Sequence, residues 1–208
     1  MRAATIPHQL AASAAAPIHS AWLRAAHWLN ALAVLVMVAS GWRIYNAAPI
    51  WPFRFPSELT LGGWLGGAIQ WHFAGMWLLG VNGAVYLALN LGTGRFVHKF
   101  LPLNPAMAWA DANAALRGRL AHDDPRHYNG LQRIAYLVAV LDLVVLVASG
   151  LVLWKSVQFP CLREAMGGYE GARHVHFVAM AVLLAFVAGH LTMVALVPRT
   201  LLAMLRGR

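Results

Sequence analysis

A hydrophobic stretch near the C-terminus, residues 172–197, limits most strongly what this chain can fold into. The stretch is 26 residues long, and after Arg173 it contains no acidic or basic residue other than histidine. At a helical rise of about 1.5 Å per residue, it is long enough to cross a hydrocarbon layer of about 30 Å. The stretch therefore predicts a transmembrane helix.

The composition indicates that the other long segments also lie in a membrane. Hydrophobic residues make up 60% of the 208 residues and charged residues only 11%, whereas a soluble domain has about 25% charged residues. We predict an all-α protein, a four-helix transmembrane bundle, in which a disordered tail (1–20) precedes a single domain (21–208). The four predicted spans cover about 22–45, 66–91, 131–154 and 172–197.

The basic residues indicate the orientation of the bundle. Eleven of the sixteen lysines and arginines lie in the N-terminal tail and first turns of span one, in residues 92–133, or at the C-terminus. Because basic residues concentrate on the cytoplasmic side of membrane proteins, both termini are predicted to lie in the cytoplasm, with the chain in a bacterial inner membrane. The net charge of +9 then reflects topology, and no nucleic-acid partner is expected.

Four histidines fall inside the predicted spans, at two depths. His27 and His190 lie near the cytoplasmic ends of spans one and four, whereas His72 and His176 lie near the outer ends of spans two and four. His176 and His190 are 14 positions apart, a spacing that returns to within about 40° around a helix. His174 is 16 positions before His190 and therefore lies on the opposite side of the helix from His176 and His190. Two pairs at two depths favour two haems stacked across the membrane, each with an imidazole on both axial sides.

Other interpretations of single residues stay open. A histidine inside a membrane more often bonds a neighbouring helix than a metal. Asp142 is the one acid deep in a predicted span, and its role is left open between a hydrogen bond to a neighbouring helix and a proton relay. The single cysteine, Cys161, excludes an intrachain disulfide and a Cys-x-x-Cys-His site for covalent haem. A haem here is therefore held by ligation and packing.

Small residues near the histidines indicate where a flat macrocycle or another helix approaches the backbone. Spans one and three share the segment Val-Ala-Ser-Gly, at 38–41 and 147–150. Gly75 follows His72 by about one helical turn. Because glycine lets a neighbouring group come close, we predict that Gly41, Gly75 and Gly150 line the cofactor sites, with helix packing as the alternative.

Several short motifs carry a resemblance to a known family. They are Arg24-x-x-His27-Trp28, Trp71-His72-Phe73, Tyr128-Asn129-x-x-Gln132-Arg133, and Arg173-x-x-His176-Phe177 followed by His190. Over about residues 18–205, the chain resembles the bacterial four-helix di-haem cytochrome b subunits of Ni/Fe-hydrogenases, formate dehydrogenases, thiosulfate reductases and small molybdopterin oxidoreductases.

The resemblance implies roles for individual residues. It implies that His72 and His176 hold an outer haem b, and that His27 and His190 hold an inner one. It implies a quinone site beside the inner haem, with the candidates Asn129 and Gln132. A buried propionate needs a cationic partner, for which the candidates are Arg24 and Arg133 at the inner haem and Arg173 at the outer haem.

These expectations combine into a membrane-anchoring cytochrome subunit that transfers electrons between a periplasmic redox partner and the quinone pool. Within the family, the short loops most resemble those of cytochromes that pair with molybdopterin enzymes, so a molybdopterin enzyme is the predicted partner. The Pro- and Trp-rich loop at 47–64 is the predicted docking surface. One alternative is a stand-alone quinone-linked oxidoreductase, for example with superoxide. Another is a haem-free transporter or assembly factor, which two histidine levels about 20 Å apart disfavour, because they cannot form one metal site.

Overall fold

The computed structural model describes residues 19–92, 104–117 and 130–207. These residues form seven α-helices and one 3-10 turn, Ser57–Leu59. The helices are α1 (Ala21–Ala47), α2 (Leu65–Gly92), α3 (Pro105–Leu116), α4 (Gly130–Trp154), α5 (Pro160–Ala165), α6 (Gly168–Leu196) and α7 (Pro198–Arg206). Four of them, α1, α2, α4 and α6, are long and apolar enough to cross a membrane. The predicted all-α four-helix bundle is confirmed.

The helix ends differ from the predicted spans by a few residues. The largest difference is at α6, which begins at Gly168 rather than at 172. The added turn, Gly168 to Gly171, is small or polar, so hydropathy alone does not include it in a span. The shorter helices α3, α5 and α7 were not predicted. Most of the predicted tail and part of the 92–130 segment lie outside the described residues.

The four long helices pack mainly as two antiparallel pairs, α1 with α2 and α4 with α6. Small buried side chains recur every seven residues on both helices of the first pair, at Ala26, Ala33 and Ser40 and at Ala68, Gly75 and Asn82. A seven-residue repeat returns to nearly the same helix face, and small residues let two helices approach closely. The α1–α2 pair is therefore held by close backbone packing.

One polar contact joins α1 to α2 inside the bundle. The Asn82 side-chain amide donates hydrogen bonds to the Ala26 carbonyl (2.8 Å) and to the Asn30 side-chain oxygen (2.7 Å). Asn82 is buried, so both bonds are shielded from water. Sequence reasoning did not identify this contact.

Replacing Asn82 with alanine is expected to lower the free energy of unfolding by about 1–2 kcal/mol, because two buried hydrogen bonds are lost. Thermal or denaturant unfolding in detergent measures the change. Asn30→Ala removes only one of the two bonds and is expected to cost less. A double-mutant cycle with both changes should show a coupling energy clearly different from zero; additive effects would contradict a direct bond between the two amides.

Aromatic side chains fasten the loop after α1 onto the helix ends. Phe55 stacks on Trp42 with ring centroids 4.5 Å apart, and Tyr45 packs against Phe53, Phe55 and Phe177. The Asn46 amide both donates to and accepts from the backbone of Phe55, at 2.8 and 2.9 Å. The loop therefore forms a defined cap on the ends of α1 and α6. Other aromatic rings of this loop, such as Trp64 at 68% exposure, remain on the surface.

Candidate functional site

The histidines of one predicted pair, His72 and His176, face each other across the bundle. Their ring centroids are 6.4 Å apart. His72 lies in the second turn of α2, and His176 lies in the third turn of α6. Each ring thus comes from a different helix pair, and the two helix pairs meet at this point.

A serine from the neighbouring helix contacts each ring of this pair. Ser40 Oγ lies 3.1 Å from His72 Nδ1, and Ser149 Oγ lies 2.9 Å from His176 Nδ1. Both serines are fully buried. The serine hydroxyls donate to the carbonyls of Val36 (2.6 Å) and Val145 (2.7 Å), one turn earlier in their own helices. Each Oγ is therefore available to accept a hydrogen bond from the imidazole.

The glycine after each serine leaves room for the same ring. A Cβ atom added to Gly41 would lie 3.4 Å from His72 Cε1, and one added to Gly150 would lie 3.5 Å from His176 Cε1. The two Val-Ala-Ser-Gly segments therefore cradle the two histidines in the same way. Gly75 has a different position, because a Cβ there would lie 2.6 Å from Met37 Cγ, in the α1–α2 contact.

The histidines of the second predicted pair, His27 and His190, also face each other. Their ring centroids are 6.0 Å apart. Trp28 approaches His27 edge-on at 5.3 Å, and Phe186 stacks on His190 at 6.2 Å. Neither ring has a hydrogen bond within the described part of the chain. On α6 this pair lies 14 positions after His176, about 21 Å along the helix axis.

Both ring separations are compatible with one iron atom between the rings. Two imidazole nitrogens that bind a metal at about 2.0 Å from opposite sides place their ring centroids about 6 Å apart. The residues that the structure describes contain no group of three or more His, Cys, Asp or Glu side chains suited to a metal ion. Each site thus offers two imidazole rings and no further protein ligand among the described residues, a donor set that would suit a haem.

The predicted arginines lie at the ends of the helices. Arg173 forms an ion pair with Glu170 at 2.8 Å and donates a hydrogen bond to the Ala48 carbonyl. Arg24 lies beside Gly207, which caps the last helix. Arg133 lies in the first turn of α4. Their roles toward propionates stay predictions.

Of the two predicted quinone residues, Gln132 lies in the first turn of α4, and Asn129 is outside the described residues. One turn further along α4, the Tyr136 ring contacts Phe186 at 6.2 Å, and Phe186 stacks on His190. Gln132 is therefore close in level to the His27–His190 pair.

His174 and Asp142, two further residues of the predicted spans, have defined positions. The exposed His174 ring bonds the Glu170 carbonyl at 2.8 Å and packs edge-on against Trp51, away from both pairs. Asp142 is buried, and its Oδ2 atom has no hydrogen-bond partner among the described residues. Asp142 precedes Ser149 by seven positions, so it lies on the same face of α4, about halfway between the two histidine levels.

Comparison with known proteins found one family and one relative that match nearly the whole chain. The family described as "Prokaryotic cytochrome b561" matches residues 18–207. A relative from Azospira oryzae, YedZ1, which is assigned as a protein-methionine-sulfoxide reductase subunit, is 62% identical over 190 residues. The match covers 91% of this chain and 96% of the relative. No solved structure matches the chain.

Proposed function

Because the chain belongs to the prokaryotic cytochrome b561 family, we propose that it is a di-haem cytochrome subunit that carries electrons between a redox partner and the quinone pool. The family implies haem b, and the four apolar helices identify a multi-pass protein of a bacterial inner membrane. The observation that carries the di-haem proposal is the presence of two facing histidine pairs with ring separations of 6.4 and 6.0 Å.

The four histidines act as axial ligands in this proposal. His72 and His176 hold one haem b near the outer face, and His27 and His190 hold the second near the cytoplasm. Each pair takes its two rings from two different helices, so that the packing of the bundle sets the spacing between the rings. Bis-histidine haem iron supplies reversible one-electron transfer.

The partner is proposed from the relative. YedZ1 is assigned as a subunit of a protein-methionine-sulfoxide reductase, and we propose a partner of the same kind, a molybdopterin enzyme in the periplasm. Reduction of one methionine sulfoxide to methionine and water consumes two electrons and two protons. Electrons would then leave quinol at the cytoplasmic side, and the subunit would deliver them to the partner one at a time.

The cap loop between α1 and α2 is the proposed docking surface. It lies at the same end of the bundle as the His72–His176 pair. Its Phe53 ring packs against Tyr45 of α1 and Phe177 of α6, and Phe177 directly follows His176. Several of its aromatic rings are exposed, such as Trp51 at 36% and Phe53 at 44%. Exposed aromatic side chains on a fixed backbone suit a protein interface.

The quinone site is proposed at the opposite end, near His27 and His190. Gln132 stands one turn from Tyr136, which reaches His190 through Phe186. A side-chain amide can donate a hydrogen bond to a quinone carbonyl oxygen or accept one from a quinol hydroxyl. We propose that Gln132 and Asn129 supply such bonds, with Arg24 and Arg133 beside the propionates of the nearby haem.

The first test is the haem content of the purified full chain. We expect two haem b per polypeptide, visible in the reduced-minus-oxidised spectrum, and reduction of both by a quinol analogue. The stand-alone alternative predicts turnover of quinone with a small oxidant or reductant in the absence of any partner. Purified chain that was produced with adequate haem supply and contains none would exclude a cytochrome and favour the transporter alternative.

A further inference from the structure

The two Val-Ala-Ser-Gly segments hold the two rings of the same histidine pair, and the other pair has no such support. Ser40 contacts His72, and Ser149 contacts His176. His27 and His190 have no hydrogen bond in the part of the chain that the structure describes. The two pairs therefore differ in hydrogen bonding at Nδ1, which is bonded in His72 and His176.

The contacts at His72 define which ring nitrogen carries the proton. Nδ1 lies 3.1 Å from Ser40 Oγ and 3.1 Å from the Met37 carbonyl oxygen. A carbonyl oxygen can only accept a hydrogen bond, so Nδ1 is the protonated nitrogen. The Ser40 hydroxyl already donates its own proton to the Val36 carbonyl, and it therefore accepts from Nδ1 as well. The lone pair that remains for a metal is on Nε2.

The same arrangement recurs at His176. Its Nδ1 lies 2.9 Å from Ser149 Oγ, whose hydroxyl donates to the Val145 carbonyl at 2.7 Å. The Ser149 hydroxyl therefore accepts from Nδ1, as the Ser40 hydroxyl does at His72. Both rings of the pair thus keep the lone pair on Nε2 for a metal.

We propose that Ser40 and Ser149 are positioning residues that lower the reduction potential of the haem held by His72 and His176. A hydrogen bond from Nδ1–H to an oxygen increases the electron donation of the imidazole to the metal, which favours the oxidised iron. The same bond fixes the orientation of the ring. This inference rests on the proposed function, since it concerns a haem at this pair.

A redox titration of the purified full chain tests the proposal. The double variant Ser40→Ala/Ser149→Ala is expected to raise the midpoint potential of one haem, because the hydroxyl acceptor at each ring is removed. If the relative stability of the oxidised state falls about tenfold, the shift is about 59 mV for a one-electron couple. The shifted component should be the one that is missing from His176→Ala, and the other haem should titrate as in the wild type.

Two further variants test whether the effect comes from the hydroxyl group or from the volume of the side chain. Ser40→Thr/Ser149→Thr keeps both hydroxyls and is expected to restore the wild-type potential. Thr192→Val is a matched control on α6, because the Thr192 hydroxyl also donates to a carbonyl one turn earlier, that of Ala188 at 2.8 Å, and forms no hydrogen bond with a histidine among the described residues. This change should leave both potentials unaltered.

The outcomes are distinct from those that concern the proposed function. Wild-type protein without haem would remove the proposed function itself. Two haems with unchanged potentials in the alanine double variant would overturn only the role of the serines. If the alanine variant loses one haem and the threonine variant keeps it, the hydroxyls are required and the proposal is supported. Loss of that haem from both variants would overturn it, because packing volume would then be the property that matters.

Discussion

His176→Ala is expected to lose one of the two haems and keep the other, and His190→Ala is expected to do the reverse. In the proposed function each pair would hold one haem, and the rings of one pair have no contact with those of the other pair in the described structure. Both residues lie on α6, so a general disruption of that helix would affect both sites. Selective loss therefore distinguishes ligation from misfolding. Haem content per polypeptide, measured together with the reduced spectrum, gives the result.

His174→Ala is the matched control for this experiment. His174 is two positions from His176, but its exposed ring bonds the Glu170 carbonyl at 2.8 Å and contacts Trp51. It is expected to retain both haems. Two haems in His176→Ala would exclude His176 as an axial ligand. Equal losses in the His174 and His176 variants would show that the loss reflects damage to the N-terminal part of α6.

The long helices and the histidine pairs could be predicted because both depend only on positions along the sequence. Lipid requires about 20 consecutive apolar residues per helix, and positions along such a helix convert directly into depth. His27 and His190 were assigned to one depth and His72 and His176 to the other, and the structure brings each pair together at 6.0 and 6.4 Å. Depth matching therefore sufficed to pair the rings.

The serine contacts were harder to predict from the sequence. The repeated Val-Ala-Ser-Gly segment is evident in the sequence, but its small side chains were interpreted only as room for a macrocycle or a neighbouring helix. A serine in a membrane helix ordinarily bonds its own backbone one turn earlier, as Ser40 and Ser149 both do. Which histidine then lies against the hydroxyl depends on how α1 meets α2 and how α4 meets α6, and that is a property of three-dimensional packing.

The repeat also reveals an internal symmetry that stops at one histidine pair. A shift of 109 positions relates Ser40 to Ser149, and a shift of 104 relates His72 to His176. The same shifts place Tyr136 at the position equivalent to His27, and His190 at the position equivalent to Tyr86. One site is thus built from equal contributions of both helix pairs. At the other level, tyrosines stand at the positions equivalent to the two histidines, so that one pair of histidines lies there.

His27→Ala and His190→Ala are expected to abolish reduction of the remaining haem by quinol, while dithionite still reduces it. Gln132 of the proposed quinone site lies close to the level of this pair, since it is one turn from Tyr136, whose ring contacts Phe186. The other pair is 14 residues further along α6, about 21 Å by helical rise. Stopped-flow absorption with a quinol analogue should show no reduction of the remaining haem on the time scale at which the wild-type haems are reduced.

His176→Ala should behave in the opposite way. Quinol should reduce its remaining haem at the wild-type rate, because the His27–His190 pair and its surroundings are unchanged, but delivery of electrons to the periplasmic partner should fail. If quinol instead reduces His190→Ala at the wild-type rate and fails with His176→Ala, the quinone site lies at the cap end of the bundle. The partner would then have to dock at the opposite end, and the proposed direction of transfer across the membrane would be reversed.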